Sequence, residues 1–190
     1  IALTLGVAGL PAADWPEWGG AASRNMVSSE KGLPVEFSPG KKLKGSEEVD
    51  MATTKNCLWV AKLGSQSYGT PTIAGGKVYV GGRFTTLGGQ PRSNLGAVDA
   101  TTGLARSWDP NANNPVYALA VSGTNLYAAG SFTKAGGIAA NNIAKWNGTN
   151  WSALGSGVAG TSGIPASVSA LAVAGSALYV AGNFASIGGG

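Results

Sequence analysis

A twelve-residue phrase occurs three times beyond residue 77, and it constrains the fold of this chain more than any other feature. It reads VYVGGRFTTLGG at Val78–Gly89, LYAAGSFTKAGG at Leu126–Gly137 and LYVAGNFASIGG at Leu178–Gly189. Successive copies are 48 and 52 residues apart. A repeat with a period of roughly 50 residues is typical of supersecondary units that stack on one another.

Each repeat unit is predicted to contain four short antiparallel strands. Residues 116–130 alternate apolar and small residues on both sides of Ser122–Asn125, and this pattern predicts a hairpin. A second hairpin is expected at residues 142–154, where Asn147 and Gly148 would supply the positive φ angles of a two-residue turn. Four strands in roughly every 40–50 residues are the signature of a propeller blade. The sequence therefore predicts an all-β fold, a β-propeller of four-stranded antiparallel blades over residues 57–190, with repeats near 69–109, 116–154 and 168–190.

The repeated phrase itself is interpreted as a packing motif. Its glycines allow close backbone approach, and the Gly-Gly pair at its end turns the chain. The aromatic residue after the central glycines is predicted to fill the same position between neighbouring blades in each copy. These aromatic residues are Phe84, Phe132 and Phe184. No catalytic residue is predicted within the phrase.

Composition excludes several kinds of chemistry. The chain has no histidine and one cysteine, Cys57, so Ser-His-Asp and Cys-His catalysis, an intrachain disulfide and a zinc site of His or Cys ligands have no residues to form them. Cys57 lies in the apolar run CLWVAKL and is predicted to be a core residue. The formal net charge of +4 reflects scarce acids rather than a basic patch, because beyond Lys77 only Asp99 and Asp109 are acidic. The tryptophans do not lie among the cations, so nucleic-acid binding is not predicted.

The first residues, IALTLGVAGLPAAD, are apolar and end in small residues just before the first acid, Asp14. This pattern is typical of a secretory signal that has lost its basic start, here residues 1–13. The stretch is shorter than a membrane span, so no transmembrane segment is predicted. A buried first strand is the alternative. The signal interpretation predicts a secreted, periplasmic or cell-surface protein.

Residues 14–56 are predicted to be an extended segment that is pinned onto the fold by anchors. The charged block GKKLKGSEEVD at Gly40–Asp50 carries both signs and is predicted to be a solvated loop. The run CLWVAKL at Cys57–Leu63 has the character of an outer blade strand. The predicted anchors are Trp15, Pro16, Trp18, Leu33, Pro34 and Phe37.

Two motifs could be mistaken for ligand sites. GSGVAG at Gly155–Gly160 fits a dinucleotide-binding pattern, but Pro165 follows where a helix should begin, so a loop is predicted. DPNANN at Asp109–Asn114 has oxygen ligands at alternate positions, as calcium loops do, yet it contains a single carboxylate. We interpret it as a turn between blades and predict no metal site.

Several segments resemble the pyrroloquinoline-quinone-like (PQQ-like) β-propeller repeat proteins of bacteria. They are DWPEWGG, LPVEFS, CLWVAKLGSQSYGTPTIAGGKVYVGG and AVDATTGLARSW. The resemblance implies that an Ala-x-Asp-x-x-Thr-Gly turn followed by a tryptophan docks one blade on the next. The residues in that pattern are Ala97, Asp99, Thr102, Gly103 and Trp108.

From Val78 onward the chain is also similar to extracytoplasmic propellers of the fungal cortical polarity marker type. In that group, GNF phrases that end in Gly-Gly alternate with hairpins of the form WNG..W..LG.G. The matching residues here are Gly182–Phe184 and Trp146–Gly157. This second resemblance implies the same fold and an extracytoplasmic location.

Together the resemblances imply a non-catalytic propeller module for binding or scaffolding, with an unknown protein or glycan ligand and no cofactor. One alternative is a fragment of a PQQ-dependent dehydrogenase, which would use PQQ with calcium. The site in such enzymes often includes a vicinal disulfide, which the lone Cys57 cannot form. Another alternative is a carbohydrate-binding surface propeller, for which tryptophans exposed at blade edges would be evidence.

The third repeat contains only two of the expected strands before Gly190. The sequence therefore predicts an incomplete propeller of about two and a half blades, in which open blade edges allow self-association.

Overall fold

The computed structural model describes residues 2–5, 38, 40–45, 49–55, 59–62, 66–67 and 71–188. Every pair of strands in it is antiparallel, and no sheet closes on itself. Within these ranges the sole helix is one 3-10 turn at Met51–Thr53. The predicted all-β fold is confirmed. Cys57 and the predicted anchors between Trp15 and Phe37 lie outside the described residues.

The N-terminal part forms two small sheets. Strand β1 pairs with β4, and β2 pairs with β3. A strand at the start of the chain corresponds to the alternative expectation for this stretch, and the secretory signal stays a prediction. The charged block was predicted to be a solvated loop; residues 41–45 are exposed, but Lys41–Lys42 and Val49–Asp50 form a pair of short antiparallel strands. The strands are β1 (Ala2–Leu5), β2 (Lys41–Lys42), β3 (Val49–Asp50) and β4 (Trp59–Lys62).

A first sheet is built around one long strand, β7. The short strands β5 and β6 pair with β7, and β10 pairs with its other edge. A single bridge from Ala105 to Val98 extends the sheet beyond β10. Between β7 and β10 the chain forms a small hairpin of β8 and β9. The strands are β5 (Gln66–Ser67), β6 (Thr72–Ala74), β7 (Lys77–Arg83), β8 (Thr86–Leu87), β9 (Gln90–Pro91) and β10 (Leu95–Asp99).

A second sheet has the four strands predicted for residues 116–154, in the order β11-β12-β15-β16. A small hairpin of β13 and β14 again separates the second strand from the third. Strand β17 leaves this sheet and pairs with a later strand. The strands are β11 (Val116–Ser122), β12 (Asn125–Gly130), β13 (Lys134–Ala135), β14 (Ile138–Ala139), β15 (Ile143–Trp146), β16 (Trp151–Ala153) and β17 (Gly157–Ala159).

A third sheet contains two strands, β18 (Ser167–Ala174) and β19 (Ala177–Asn183). Strand β20 (Ser186–Gly188) pairs with β17 instead of joining them. The β18–β19 hairpin repeats the pairing of the β11–β12 hairpin, including an irregularity one residue after the first pair. The equivalent pairs are Val116 with Gly130 and Val168 with Gly182.

The three sheets pack in chain order, with β11 beside β7 on one side and beside β18 on the other. Because alternate residues of a strand point to opposite faces, a sheet in the middle buries both of its faces. In the second sheet, Ala128 belongs to the core shared with the first sheet, and Ala129 to the core shared with the third. The other face of the first sheet is also buried. Its buried side chains are Ile73, Val78, Val80, Phe84, Leu87 and Val98.

Two of three local predictions were wrong, and the third was confirmed. Trp146 pairs with Trp151 across a four-residue loop, and Asn147 does not have positive φ, so the two-residue turn is not formed. The carbonyl oxygen of the Asn147 side chain accepts hydrogen bonds from the N–H groups of Thr149 and Asn150, at 2.9 and 2.7 Å, which closes the loop without positive φ.

The other two predictions concern glycine-rich segments. The Gly-Gly pair was predicted to turn the chain, and it does so as the two-residue turn of a separate hairpin: Gly136 and Gly137 have φ of 61° and 80°. The segment GSGVAG was predicted to be a loop, but Gly157–Ala159 within it forms strand β17. No helix in the described ranges has the length and apolar content that crossing a bilayer would require.

Candidate functional site

The junction between the first and second sheets holds three of the residues that the sequence singled out, Ala97, Trp108 and Phe132. Apolar side chains from β7 and β10 meet those from β11, β12 and β15 there. Burial of this kind is the main stabilising contribution to the contact between sheets. Its buried members include Tyr79, Leu95, Ala97, Val116, Leu119, Leu126, Ala128, Phe132 and Ala144.

Trp108 lies at this junction in a cluster of four aromatic rings. Its ring is stacked on Trp151 with centroids 5.9 Å apart, and it meets Tyr79 edge to face at 5.2 Å. Trp146 completes the cluster at 5.9 Å from Trp108. Trp151 also covers Gly136, where any side chain would collide with the indole ring. The three tryptophans therefore pack against one another between the sheets.

The indole N–H of Trp108 is buried and has no hydrogen-bond acceptor among the described residues. Trp108 as a whole is half-buried. The ring therefore contributes to the junction through packing and ring contacts rather than through its polar atom. Trp151 lies on β16, the outer strand of the second sheet, and all three tryptophans are half-buried.

The turn after β10 holds the other residues of the Ala-x-Asp-x-x-Thr-Gly pattern. The Asp99 carboxylate accepts hydrogen bonds from the N–H groups of Thr101 and Thr102, each at 2.9 Å. These bonds, together with the Arg106 guanidinium, lower the pKa of Asp99 below its ordinary value of 3.8. Gly103 has φ of 70° and closes the turn. Ala97, at the start of the pattern, is fully buried at the junction.

The three phenylalanines of the repeated phrase occupy equivalent positions in different surroundings. Phe132 is fully buried at the first junction, and Phe84 is 2% exposed on the far face of the first sheet. Phe184 is only partly buried, against the core shared by the second and third sheets.

Two equivalent asparagine side chains donate hydrogen bonds from one sheet to the segment that leads into the next, and we call each of these contacts an asparagine latch. The sequence analysis did not predict them. Asn94 and Asn142 follow the small hairpins and have φ of 62° and 67°, a conformation that asparagine tolerates better than most residues. The Asn94 amide donates to the carbonyl oxygen of Ala112 at 2.8 Å, and the Asn142 amide donates to that of Ala166 at 3.0 Å. Each acceptor lies on the segment that leads into the next sheet.

A polar cleft of about 430 Å³ lies beside the first latch. It separates the loops that leave β7 and β9 from the segment that leads into β11, the part of the chain predicted to be a turn between blades. Asn111 and Asn114 are exposed there, and Asn111 has φ of 48°. The Asn113 side chain accepts from the N–H groups of Thr133 and Lys134, which fixes this wall to the second sheet. Arg83, Thr85 and Ser93 line the opposite wall.

This cleft can offer amide, hydroxyl and guanidinium groups to a polar ligand. Across the parts of the chain that the structure describes, no three His, Cys, Asp or Glu side chains are grouped to hold a metal ion. No protein-family model, curated protein or solved structure matches this chain.

Proposed function

We propose that this chain is an extracytoplasmic β-propeller module that binds or scaffolds a ligand and performs no chemistry of its own. The observation that carries the proposal is the recurrence of one inter-sheet arrangement. The latches of Asn94 and Asn142 and the matching registers of the two hairpins repeat from one sheet to the next. Successive sheets that pack through equivalent faces are the arrangement expected of propeller blades.

The polar cleft supports a glycan as the ligand. Sugar hydroxyl groups both donate and accept hydrogen bonds, and the amides of Asn111 and Asn114 do the same. A volume of about 430 Å³ falls within the usual range of small-ligand sites. The wall that carries both residues is held by Asn113, so the groups are positioned before the ligand arrives.

Titration of the protein with a panel of soluble neutral and acidic oligosaccharides, followed by isothermal calorimetry, tests this proposal. We expect binding by at least one saccharide, and loss of that binding in Asn114→Ala and Asn111→Gly, the latter of which keeps the positive φ. Asn150→Ala is the matched control, since Asn150 is exposed in a loop that does not line the cleft.

Three results would contradict the proposal. If Asn150→Ala weakened saccharide binding as much as Asn114→Ala, the cleft would not be the site. If the protein reconstituted with PQQ and calcium reduced a dye in the presence of an alcohol or a sugar, the module would be an oxidoreductase. An experimental structure with the sheets arranged around a common axis would support the propeller, and a two-layer sandwich would contradict it.

A further inference from the structure

One position of the repeated phrase carries a charge in the first copy alone. Between the glycines and the phenylalanine, the first copy has Arg83, the second has Ser131 and the third has Asn183. In the first two copies the glycine before this position and the phenylalanine after it are buried. Arg83 is exposed and lines the polar cleft. The first copy therefore brings a cation to the cleft at a position where the other copies are neutral.

The charge around the polar cleft is positive. Of the described residues that line it, Arg83 alone carries a charge. Lys134 adds a second exposed cation nearby, on the hairpin whose backbone donates to the Asn113 side chain. Asp109 precedes Asn111 by two residues and does not line the cleft. A cleft with charge of one sign concentrates ligands of the opposite sign, so this one favours an anion.

We propose that the ligand of this cleft is an acidic saccharide, whose carboxylate binds Arg83 while its hydroxyl groups bind Asn111 and Asn114. The inference deepens the function proposed for the cleft by naming the class of ligand, and it rests on that function. A guanidinium has five N–H donors in a planar fork that matches the two oxygens of a carboxylate. It can therefore bind a carboxylate while it keeps hydrogen bonds to the protein.

The groups that would bind the acid and the hydroxyls lie on opposite walls of the cleft. Arg83 ends strand β7 of the first sheet, and Asn114 belongs to the segment that leads into the second. The latch from Asn94 to Ala112 joins these two walls, so their separation is set before a ligand binds. A sugar ring with an acid at one end and hydroxyl groups at the other matches this arrangement. The volume of about 430 Å³ has room for such a ring.

Titration of the protein with glucose and with glucuronate tests the inference, because the two sugars share a ring and differ in the carboxylate. The NMR signals of the Asn111 and Asn114 side-chain amides and of the Arg83 Nε–H report binding at the cleft. We expect glucuronate to bind roughly tenfold or more tightly than glucose, since hydrogen bonds between charged partners are the stronger ones. Added salt should reduce this preference by screening the exposed charges.

Arg83→Ser and Lys77→Ser are the matched variants, since each removes one positive charge from β7. Lys77 lies at the opposite end of the strand, about 20 Å away, where salt screens its charge from the cleft. Arg83→Ser should reduce the preference for glucuronate to less than about threefold and leave glucose binding unchanged. Lys77→Ser should keep the full preference.

The fold is expected to accept Arg83→Ser, because Ser131 occupies the equivalent position in the second copy. Thermal melts of both variants establish that they are folded. If Arg83→Ser is unfolded, the Arg83 Nε–H signal of the parent protein still decides the question, since it should shift with glucuronate and not with glucose.

Equal affinity for glucose and glucuronate, with both lost in Asn114→Ala, would overturn this inference alone. A preference for glucuronate that persists in Arg83→Ser would also overturn it, as the carboxylate would then bind elsewhere. Acetate that binds as tightly as glucuronate would overturn it too, because the site would recognise a carboxylate without a sugar. If no saccharide of either kind bound, the function proposed for the polar cleft would fail together with this inference.

Discussion

The hairpins Val116–Gly130 and Val168–Gly182 have the same register and the same irregularity, yet their surroundings differ. In the first, Tyr127 is half-buried, because the sheet lies between two others. In the second, one face meets the second sheet and the other has no described neighbour, so Tyr179 is 60% exposed. Hairpin geometry is therefore set by local sequence, whereas the burial of each face is set by what packs against it.

This difference separates two contributions to stability that usually occur together. Turn residues and close backbone contacts act within a hairpin and should contribute equally in both hairpins. Apolar side chains act through the area that neighbouring sheets remove from water, so they should contribute unequally. Paired substitutions at equivalent positions can test whether this division holds.

The largest expected effect is at the phenylalanine of the repeated phrase. Phe132→Ala removes a fully buried ring and should lower the free energy of unfolding by about 3–5 kcal/mol. Phe184→Ala removes a partly buried ring at the equivalent position and should cost roughly half as much. Urea unfolding of both variants gives the comparison. Equal losses would mean that Phe184 is covered in solution as fully as Phe132, on the side of the third sheet that meets the second.

Trp108 tests the contribution of side chains that are buried between two sheets. Trp108→Ala should lower the free energy of unfolding by about 3 kcal/mol, because the ring contacts Tyr79, Trp146 and Trp151 at the junction of the first two sheets. Trp108→Phe should cost about 1 kcal/mol, since it keeps an aromatic ring and the indole N–H makes no hydrogen bond to the described residues. A melting temperature unchanged by Trp108→Ala would contradict its position between the sheets.

Gly130 and Gly182, which lie close to a neighbouring backbone, test the contribution of contacts within a hairpin. A side chain at Gly130 would overlap the carbonyl oxygen of Pro115, and one at Gly182 would overlap that of Ser167. Gly130→Ala and Gly182→Ala should therefore each cost about 1–3 kcal/mol, and by similar amounts. The denaturant concentrations at the unfolding midpoints of the two variants would measure both losses. A much smaller loss at Gly182 would show that the exposed hairpin relaxes where the covered one cannot.

Sequence reasoning succeeded where the signal is local. The hairpin turn at Ser122–Asn125 and the four strands of residues 116–154 follow from alternation and from turn residues that are adjacent in the chain. The turn at Asn147 was misjudged, because an asparagine side chain can close a loop by hydrogen bonding as well as by adopting positive φ.

Features that depend on distant residues could not be read from the repeat. The latch acceptors Ala112 and Ala166 lie 18 and 24 residues beyond their donors, so no fixed spacing reveals them. The signal that could have found the donors was present, since Asn94 and Asn142 are equivalent in the repeat. The polar cleft depends on Arg83 facing Asn114 across a junction, and only the packing of two sheets creates that pairing.

The smallest effect concerns the turns that follow the third strands, where Asp99 and Asn147 are equivalent. Both side chains accept two backbone N–H groups, but only Asp99 titrates. Because folding lowers the pKa of Asp99, its carboxylate stabilises the fold at pH values above its unfolded pKa near 3.8. This contribution is lost as the pH falls through the lower pKa of the folded state.

Asp99→Asn should keep the turn and reduce the loss of stability between about pH 6 and pH 3. Asn147→Asp should introduce a new loss over the same interval if its carboxylate accepts the same bonds. Urea midpoints of the two variants and of the parent chain at both pH values measure the effect, and an Asp99→Asn variant as acid-sensitive as the parent would show that this turn does not contribute to the pH dependence.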